Sequence, residues 1–177
     1  MIGESGSGKT TLATALEERG FKQLWSYTTR PPRYENEPGH IFVNSFPDHI
    51  ICAAHTVFNG YVYWSTTEQL EENDVYVIDP AGMEYLLKCY NGNKIPIIIY
   101  VEASKHVRSH RMKQRGDSRK QIKERLKHDE LAFRDFRNRM MRCDLPFQFI
   151  TLSNDGDDLD NVKQKLFDIV DAYEAAI

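Results

Sequence analysis

Apolar positions along the chain follow two spacings, and each predicts a different element. Leu159, Val162, Leu166, Ile169 and Tyr173 recur every three or four residues, which predicts a closing amphipathic helix. Near the other end, Leu12 and Leu16 give an apolar face to a run of good helix formers, residues 11–16, and Gly20 stops it. Residues 74–79 (Asp-Val-Tyr-Val-Ile-Asp) and 95–101 are instead short β-branched runs bounded by polar or turn residues. With the helical pattern 81–90 between them they predict a βαβ unit, whose strands are usually buried and parallel. Residues 21–29 read as a strand giving way to a polar loop, 30–39 as irregular around three prolines, and 41–43 as a short strand. Residues 57–63 read as a strand or a hairpin about Asn59-Gly60. Residues 103–115 and 118–141 read as two polar, basic helices broken near Gly116, and 147–152 as a last strand. No internal repeat or linker interrupts these elements, so the 177 residues predict one domain with room for a core.

Composition narrows the class. Hydrophobic residues at 41% and charged residues at 28% are globular values, which argues against a disordered chain. The longest apolar run, 95–101, contains a proline and is far below the ~18 residues of a membrane span, and the first residues show no signal peptide. Cys52, Cys89 and Cys143 are widely spaced without a CxxC pair, so neither a disulfide framework nor a zinc site is indicated. They read as core or near-core thiols, and a cytoplasmic setting fits. The net charge of −3 argues against a nucleic-acid binder. Its distribution is uneven: residues 105–127 hold ten Lys/Arg against two Asp/Glu, leaving 13 basic against 24 acidic residues elsewhere.

Gly3-Glu4-Ser5-Gly6-Ser7-Gly8-Lys9-Thr10, followed by Thr11, matches the phosphate-loop pattern G-x-x-x-x-G-K-S/T in full. Glycines let backbone N–H groups turn inward around phosphates, and the helix that starts here adds its positive end. Lys9, on an exposed loop, would reach the outer phosphates, and the Thr10 hydroxyl would bind Mg²⁺. Only Met1 and Ile2 precede the loop, so either further residues come before them in the natural protein or the strand leading into it is unusually short.

A second cluster, Ser26-Tyr27-Thr28-Thr29-Arg30-Pro31-Pro32-Arg33, sets two arginines three apart on a proline-stiffened loop. That spacing suits a fork of donors around one phosphate, although two solvated surface arginines fit it as well. Here the chain resembles the guanylate kinase family, whose acceptor segment reads S-x-T-T-R-x-P-R before a glycine-containing loop and a Y-x-F-V strand. Tyr63-Trp64-Ser65 resembles that family's Y-G-S/T, and Asp79-Pro80-Ala81-Gly82 its D-x-x-G. Arg111-Met112-Lys113-Gln114-Arg115-Gly116, with Arg125 beyond, resembles its lid.

The resemblance implies that Ser26, Ser65 and Asp79 face an acceptor nucleoside, that Arg30, Arg33 and Tyr63 hold its phosphate, and that Arg111, Arg115 and Arg125 close over the triphosphate. A basic lid that engages only when polyphosphate arrives also accounts for the charge of 105–127. Three positions depart from the family. Ala54 stands where the family carries the glutamate that reads guanine, Val77 replaces an aspartate, and His40 replaces the tyrosine of Y-x-F-V after a shorter loop. His40 is either a donor to the acceptor phosphate, charged below a pKa near ~6.5, or structural.

His106, His110 and His128 lack carboxylate or cysteine partners at ligand spacing. The acidic cluster 155–160 reads as a solvated loop and helix start, and Asn154 is a candidate adenine contact. The expected fold is a three-layer α/β P-loop nucleoside monophosphate kinase fold with a parallel sheet, an acceptor-binding subdomain near 26–67 and a helical lid near 105–127. The expected activity is transfer of the γ-phosphoryl group of Mg·ATP to GMP, dGMP or a related 5′-monophosphate. Its partners would be small nucleotides, with no nucleic acid and no membrane, in a monomer or homodimer. A P-loop kinase for another phosphorylated acceptor and a non-catalytic binding module are the alternatives.

Overall fold

A computed structural model of the chain describes residues 1–134, 136, 138–139, 148–156 and 158–176. In chain order its elements are α1 (Lys9–Glu18), β1 (Gln23–Leu24), β2 (Ser26–Thr28), β3 (His40–Phe42), β4 (Ala54–Phe58), β5 (Tyr61–Ser65) and α2 (Thr67–Glu72). They continue with β6 (Val75–Tyr76), α3 (Pro80–Cys89), β7 (Ile98–Glu102), α4 (Lys105–Gln114), α5 (Arg119–Phe133), β8 (Phe149–Ser153) and α6 (Leu159–Glu174). The architecture is mixed α/β. The chain divides into two compact units, one of Met1–Ala15 with Ile95–Ile177 and one of Leu16–Lys94.

In the first unit β7 and β8 run parallel in register, from Ile98 opposite Phe149 to Glu102 opposite Ser153. Ile2 adds one parallel bridge to Tyr100, donating its N–H to Ile99 O at 2.9 Å while its carbonyl accepts from Val101 N at 2.8 Å. One such bridge leads straight into the phosphate loop. Of the predicted apolar stripe of α6, Val162 and Leu166 are buried, Ile169 and Tyr173 half-buried and Leu159 exposed, while Val170, outside that stripe, is buried too. Ser104 and Ser118 cap α4 and α5, each accepting a hydrogen bond from the amide three residues on. Gly116 sits between the helices at φ 96°, which a side chain would disfavour and which accounts for the break.

In the second unit β1 pairs with β6 in parallel, and a four-stranded sheet has the order β3-β2-β5-β4. β2 and β3 are parallel, whereas β2 with β5 and β4 with β5 are antiparallel. The β4–β5 turn is Asn59-Gly60, both at positive φ (50° and 79°), as a tight two-residue hairpin requires. Strand alternation separates two faces. Tyr27, Ile41, His55, Val57, Val62 and Trp64 share one, where Trp64 is buried, stacked on Tyr27 at 5.4 Å and met edge-on by Phe46 at 5.0 Å. Ser26, Thr28, His40, Phe42, Ala54, Thr56, Tyr63 and Ser65 share the other. Period two thus gathers the polar residues of three separate motifs on one surface.

Several expectations need correction. The βαβ order is present, with β6 pairing with β1 and β7 with β8, so that among the described residues the ladders fall into three groups, two of them parallel pairs. The strand expected at 74–79 shortens to Val75–Tyr76, because Asp79 turns away to cap α3, accepting from Gly82 N at 2.7 Å ahead of Pro80. α2 was not anticipated, although its capping box is legible: Gln69 N donates to Thr66 Oγ1 at 3.3 Å and Thr66 N to Gln69 Oε1 at 3.2 Å. α5 is described only to Phe133, so the expected end of that helix at 141 lies outside the described residues, as does Cys143. Cys52 is buried, but Cys89 is exposed on the last turn of α3. Asp155 is more than solvated, since its Oδ1 accepts from Ser104 N at 2.8 Å. Among the described residues no helix is long and apolar enough to cross a membrane.

Candidate functional site

The phosphate loop belongs to the first unit and is held from outside. Gly6 (φ 80°) and Gly8 (φ 101°) adopt backbone conformations that side chains disfavour. A Cβ at Gly6 would lie 2.7 Å from Arg108 O, and one at Gly8 2.3 Å from Asn154 Nδ2, so the loop passes directly against α4 and the end of β8. Asn154 is buried there: its Nδ2 donates to Ser7 O at 2.8 Å, while its Oδ1 accepts from Arg111 Nη2 at 3.1 Å. Arg111 Nη1 adds a donor to Ser7 O at 3.3 Å. Asn154, the candidate adenine contact, and Arg111, the expected lid residue, therefore both brace the loop in this structure.

Lys9 is half-buried and curls back over the loop, donating to Gly3 O at 2.6 Å and Glu4 O at 3.0 Å. Burial lowers its pKa to about 8; the Asp129 and Glu4 carboxylates pull it up, and Arg115 and Arg108 push it down. Three cations and two carboxylates thus share this end of the unit with the loop. Ser7 is fully buried and its hydroxyl has no hydrogen-bond partner among the described residues. Thr10 and Thr11 are exposed at the start of α1. Arg115 and Arg125 converge on one carboxylate, Asp117, with Arg115 Nη2 at 2.6 Å and Arg125 Nε at 3.4 Å from Oδ2. Sequence reasoning assigned no role to Arg108, Asp117, Asp129 or Glu37. A signal was available for Asp117, one of only two acids against ten Lys/Arg in 105–127, and it meets two of those cations.

The second cluster lies in the other unit. Arg30 is buried, with Nη1 donating to Glu37 Oε2 at 3.1 Å and Nη2 to Oε1 at 2.8 Å, and its guanidinium lies 5.3 Å from the Phe42 ring centroid. Arg33 donates its backbone N–H to the same carboxylate at 2.7 Å, while its side chain stays 43% exposed and approaches Oε1 at 3.3 Å. Burial alone would raise the Glu37 pKa, but the Arg30 hydrogen bonds and the Arg33 amide and charge outweigh it and hold the carboxyl below the usual range.

Tyr63 lies beside Arg30 and its ring meets His40 edge-on at 5.5 Å. His40 Nδ1 and Ser26 Oγ share a hydrogen bond of 3.0 Å. Burial lowers the His40 pKa to about 4, the neighbouring Arg30 cation adds to this, and Glu37 opposes it. A neutral imidazole at physiological pH replaces the imidazolium donor considered from the sequence. Ala54 and Ser65 face each other across the hairpin, both fully buried, and Tyr76, unnoticed in the sequence, lies beside Ser65 with its phenol pKa pushed up by burial. One Asp79 oxygen is committed to the α3 cap. Among the described residues no group of three or more His, Cys, Asp or Glu could hold a metal ion.

No protein-family model matches the chain, and no curated protein matches it. A solved structure does: the guanylate kinase from Anaplasma phagocytophilum is 18% identical, with a TM-score of 0.57 over 97% of this chain and 84% of that one. The chain has a guanylate-kinase-like fold. At this identity the likeness concerns the fold alone.

Proposed function

We propose that the chain is a nucleoside monophosphate kinase that transfers the γ-phosphoryl group of Mg·ATP to GMP, dGMP or a related 5′-monophosphate. The observation that carries this reading is the complete phosphate loop, braced by Arg111 and Asn154, with Arg108 and Arg115 close enough to lower the Lys9 pKa. Such a concentration of cations beside inward-turning amides favours a polyphosphate over any neutral ligand. The acceptor would lie on the sheet face that carries Ser26, Tyr63 and Ser65, next to Arg30 and Arg33. On this reading residues 1–177 form one guanylate-kinase-like domain, with 26–67 binding the acceptor and 105–127 acting as the lid, in a cytoplasmic monomer or homodimer.

The acceptor phosphate is already an anionic nucleophile at neutral pH, so no general base is needed, and the residues act by alignment and charge neutralisation. Arg33, partly exposed, is the acceptor-phosphate donor with room to move, whereas Arg30 is pre-set by Glu37. Lys9 would exchange its bonds to Gly3 and Glu4 for the outer phosphates, and Arg115 and Arg125 would leave Asp117 for them. A hard oxygen ligand at the helix start fits Mg²⁺, which usually takes one or two protein oxygens together with phosphates and waters; Thr10 would hold it, and the ion would supply neutralisation of phosphate charge.

A second reading, a P-loop kinase for another phosphorylated acceptor, is favoured by the buried Ala54–Ser65 pair, which offers hydroxyl and methyl where a carboxylate would read guanine. A coupled ADP-release assay with GMP, dGMP, AMP, CMP and UMP separates the possibilities. Turnover highest with GMP or dGMP supports the first reading, and turnover that favours an acceptor without guanine supports the second. ATP binding without turnover on any acceptor would favour a non-catalytic binding module.

A further inference from the structure

Asp129 belongs to the second basic helix and to no motif, yet it is only 4% exposed. Its Oδ2 accepts from the Ser5 backbone N–H at 2.9 Å and from Arg108 Nη1 at 3.1 Å, and its Oδ1 accepts from the Ser5 hydroxyl at 3.2 Å. His128 Nδ1 stands 4.0 Å from Oδ1. Arg108, itself 8% exposed, donates its Nε to Ala103 O at 3.1 Å, the carbonyl just after β7. A continuous chain of bonds therefore runs from the end of β7, through α4 and α5, to the third residue of the phosphate loop.

Each link has a physical consequence. An exposed ion pair would add little, but two buried charges are each left desolvated and unpaired if the other is removed, so the pair holds its geometry firmly. Ser5 lies between glycines at positions 3 and 6 that both sit at positive φ, and such a segment has no stiffness of its own. The inner turn is braced at Ser7 by Asn154 and Arg111. The outer turn is braced at Ser5 by Asp129, through the backbone and the side chain together.

We propose that Asp129 is a positioning residue of the phosphate loop, acting through Ser5 and Arg108 to hold the loop's outer turn in the shape that receives a polyphosphate. This rests on reading the loop as a nucleotide site. Pre-set amides bind an anion without an ordering cost at the moment of binding, so releasing Ser5 should weaken polyphosphate binding and leave the acceptor side unchanged.

Three variants test it. Asp129→Asn keeps the shape: its oxygen can accept from Ser5 N–H and Arg108, and its amide can donate to the Ser5 hydroxyl. Asp129→Ala removes all three bonds, and Ser5→Ala removes only the hydroxyl arm. Calorimetric titration with inorganic triphosphate and with ATP, on proteins shown folded by circular dichroism, should give binding about tenfold weaker or more in Asp129→Ala, within about threefold of wild type in Asp129→Asn, and intermediate in Ser5→Ala. Ser5→Ala should add nothing in the Asp129→Ala background, and KM for ATP should rise while KM for the acceptor stays fixed. Should Asp129→Ala not fold, wild-type affinity in Ser5→Ala would by itself overturn the proposal. Equal affinity in all variants would overturn it, and so would tighter binding in both Asp129 variants, which would make the carboxylate a competitor of phosphate. A wild-type chain that binds neither polyphosphate overturns the nucleotide reading and this proposal together, whereas wild-type binding with indifferent variants overturns this proposal alone.

Discussion

Arg30 and Glu37 meet in a two-pronged pair, at 3.1 Å and 2.8 Å, inside the loop that also carries Arg33. Two other carboxylates among the described residues also collect donors: Asp117 gathers Arg115 and Arg125, and Asp129 gathers Arg108 and the Ser5 amide. One carboxylate at the centre of each cation group lets arginines pack closely without mutual repulsion. It also pre-orients donors that suit phosphate.

This pairing predicts that Glu37 and Arg33 separate stability from binding. Glu37→Ala leaves the buried Arg30 uncompensated and should cost about 2 to 4 kcal/mol in urea unfolding. Arg33→Ala, at a 43% exposed side chain, should cost under about 1 kcal/mol and yet raise the acceptor KM severalfold. Equal stability losses in the two variants would show that the pair is not the structural element it appears in the geometry.

His40 predicts an acid-side loss of stability. Its folded pKa of about 4 lies below the ordinary 6.5, so between those values the unfolded chain takes up a proton that folded His40 refuses. Stability is therefore full above pH 6.5 and falls as the pH drops toward 4, by up to about 3 kcal/mol. His40→Phe should flatten that slope in denaturant melts, and acceptor affinity should not follow His40 ionisation between pH 6 and 8, on the order expected for a neutral ring. A His40 ring that titrates near 6.5 by NMR would contradict this.

The basic segment should be mobile only in part. Arg108, Met112 and Asp129 are buried, so α4 and the later part of α5 are anchored, whereas most residues from Lys113 to Lys127 are exposed or half-buried. Hydrogen exchange should be slow at 108–112 with or without a bisubstrate analogue, and should slow on analogue binding at 113–125. Uniformly fast exchange across 105–127 without the analogue would instead support a lid that moves as a whole.

Ala54 should control the base. It is buried opposite Ser65 on the acceptor face, so Ala54→Glu would place a carboxylate there at a cost of about 1 to 3 kcal/mol in stability from crowding. If guanine lies on that face, the variant should improve the kcat/KM ratio of GMP over AMP by roughly 10-fold or more. An unchanged ratio in a folded variant would place the base elsewhere.

Much of this was legible in the sequence because it rests on local rules. The glycine pattern of 3–8, the Asn59-Gly60 turn and the α6 stripe each follow from backbone freedom or from one periodicity. What remained hidden depends on distant partners. Asp129 and Ser5 are 124 positions apart, and nothing local separates Asp129 from a solvated helix acid. The register that sets Ala54 against Ser65 and the burial that neutralises His40 both come from strands distant in sequence, β4 with β5 and β2, β3 and β5 together. Strand pairing was hidden for a related reason: apolar runs show that a strand is buried without naming its neighbour.

Phosphoryl transfer itself is tested most directly by incubating the chain with Mg·ATP and GMP and separating all nucleotides by anion exchange, beside Lys9→Ala. ADP and GDP should form in equal amounts in the wild type, and at least about 100-fold more slowly in a Lys9→Ala protein that remains folded. ADP without a second diphosphate from any monophosphate, or equal rates in the two proteins, would contradict the account.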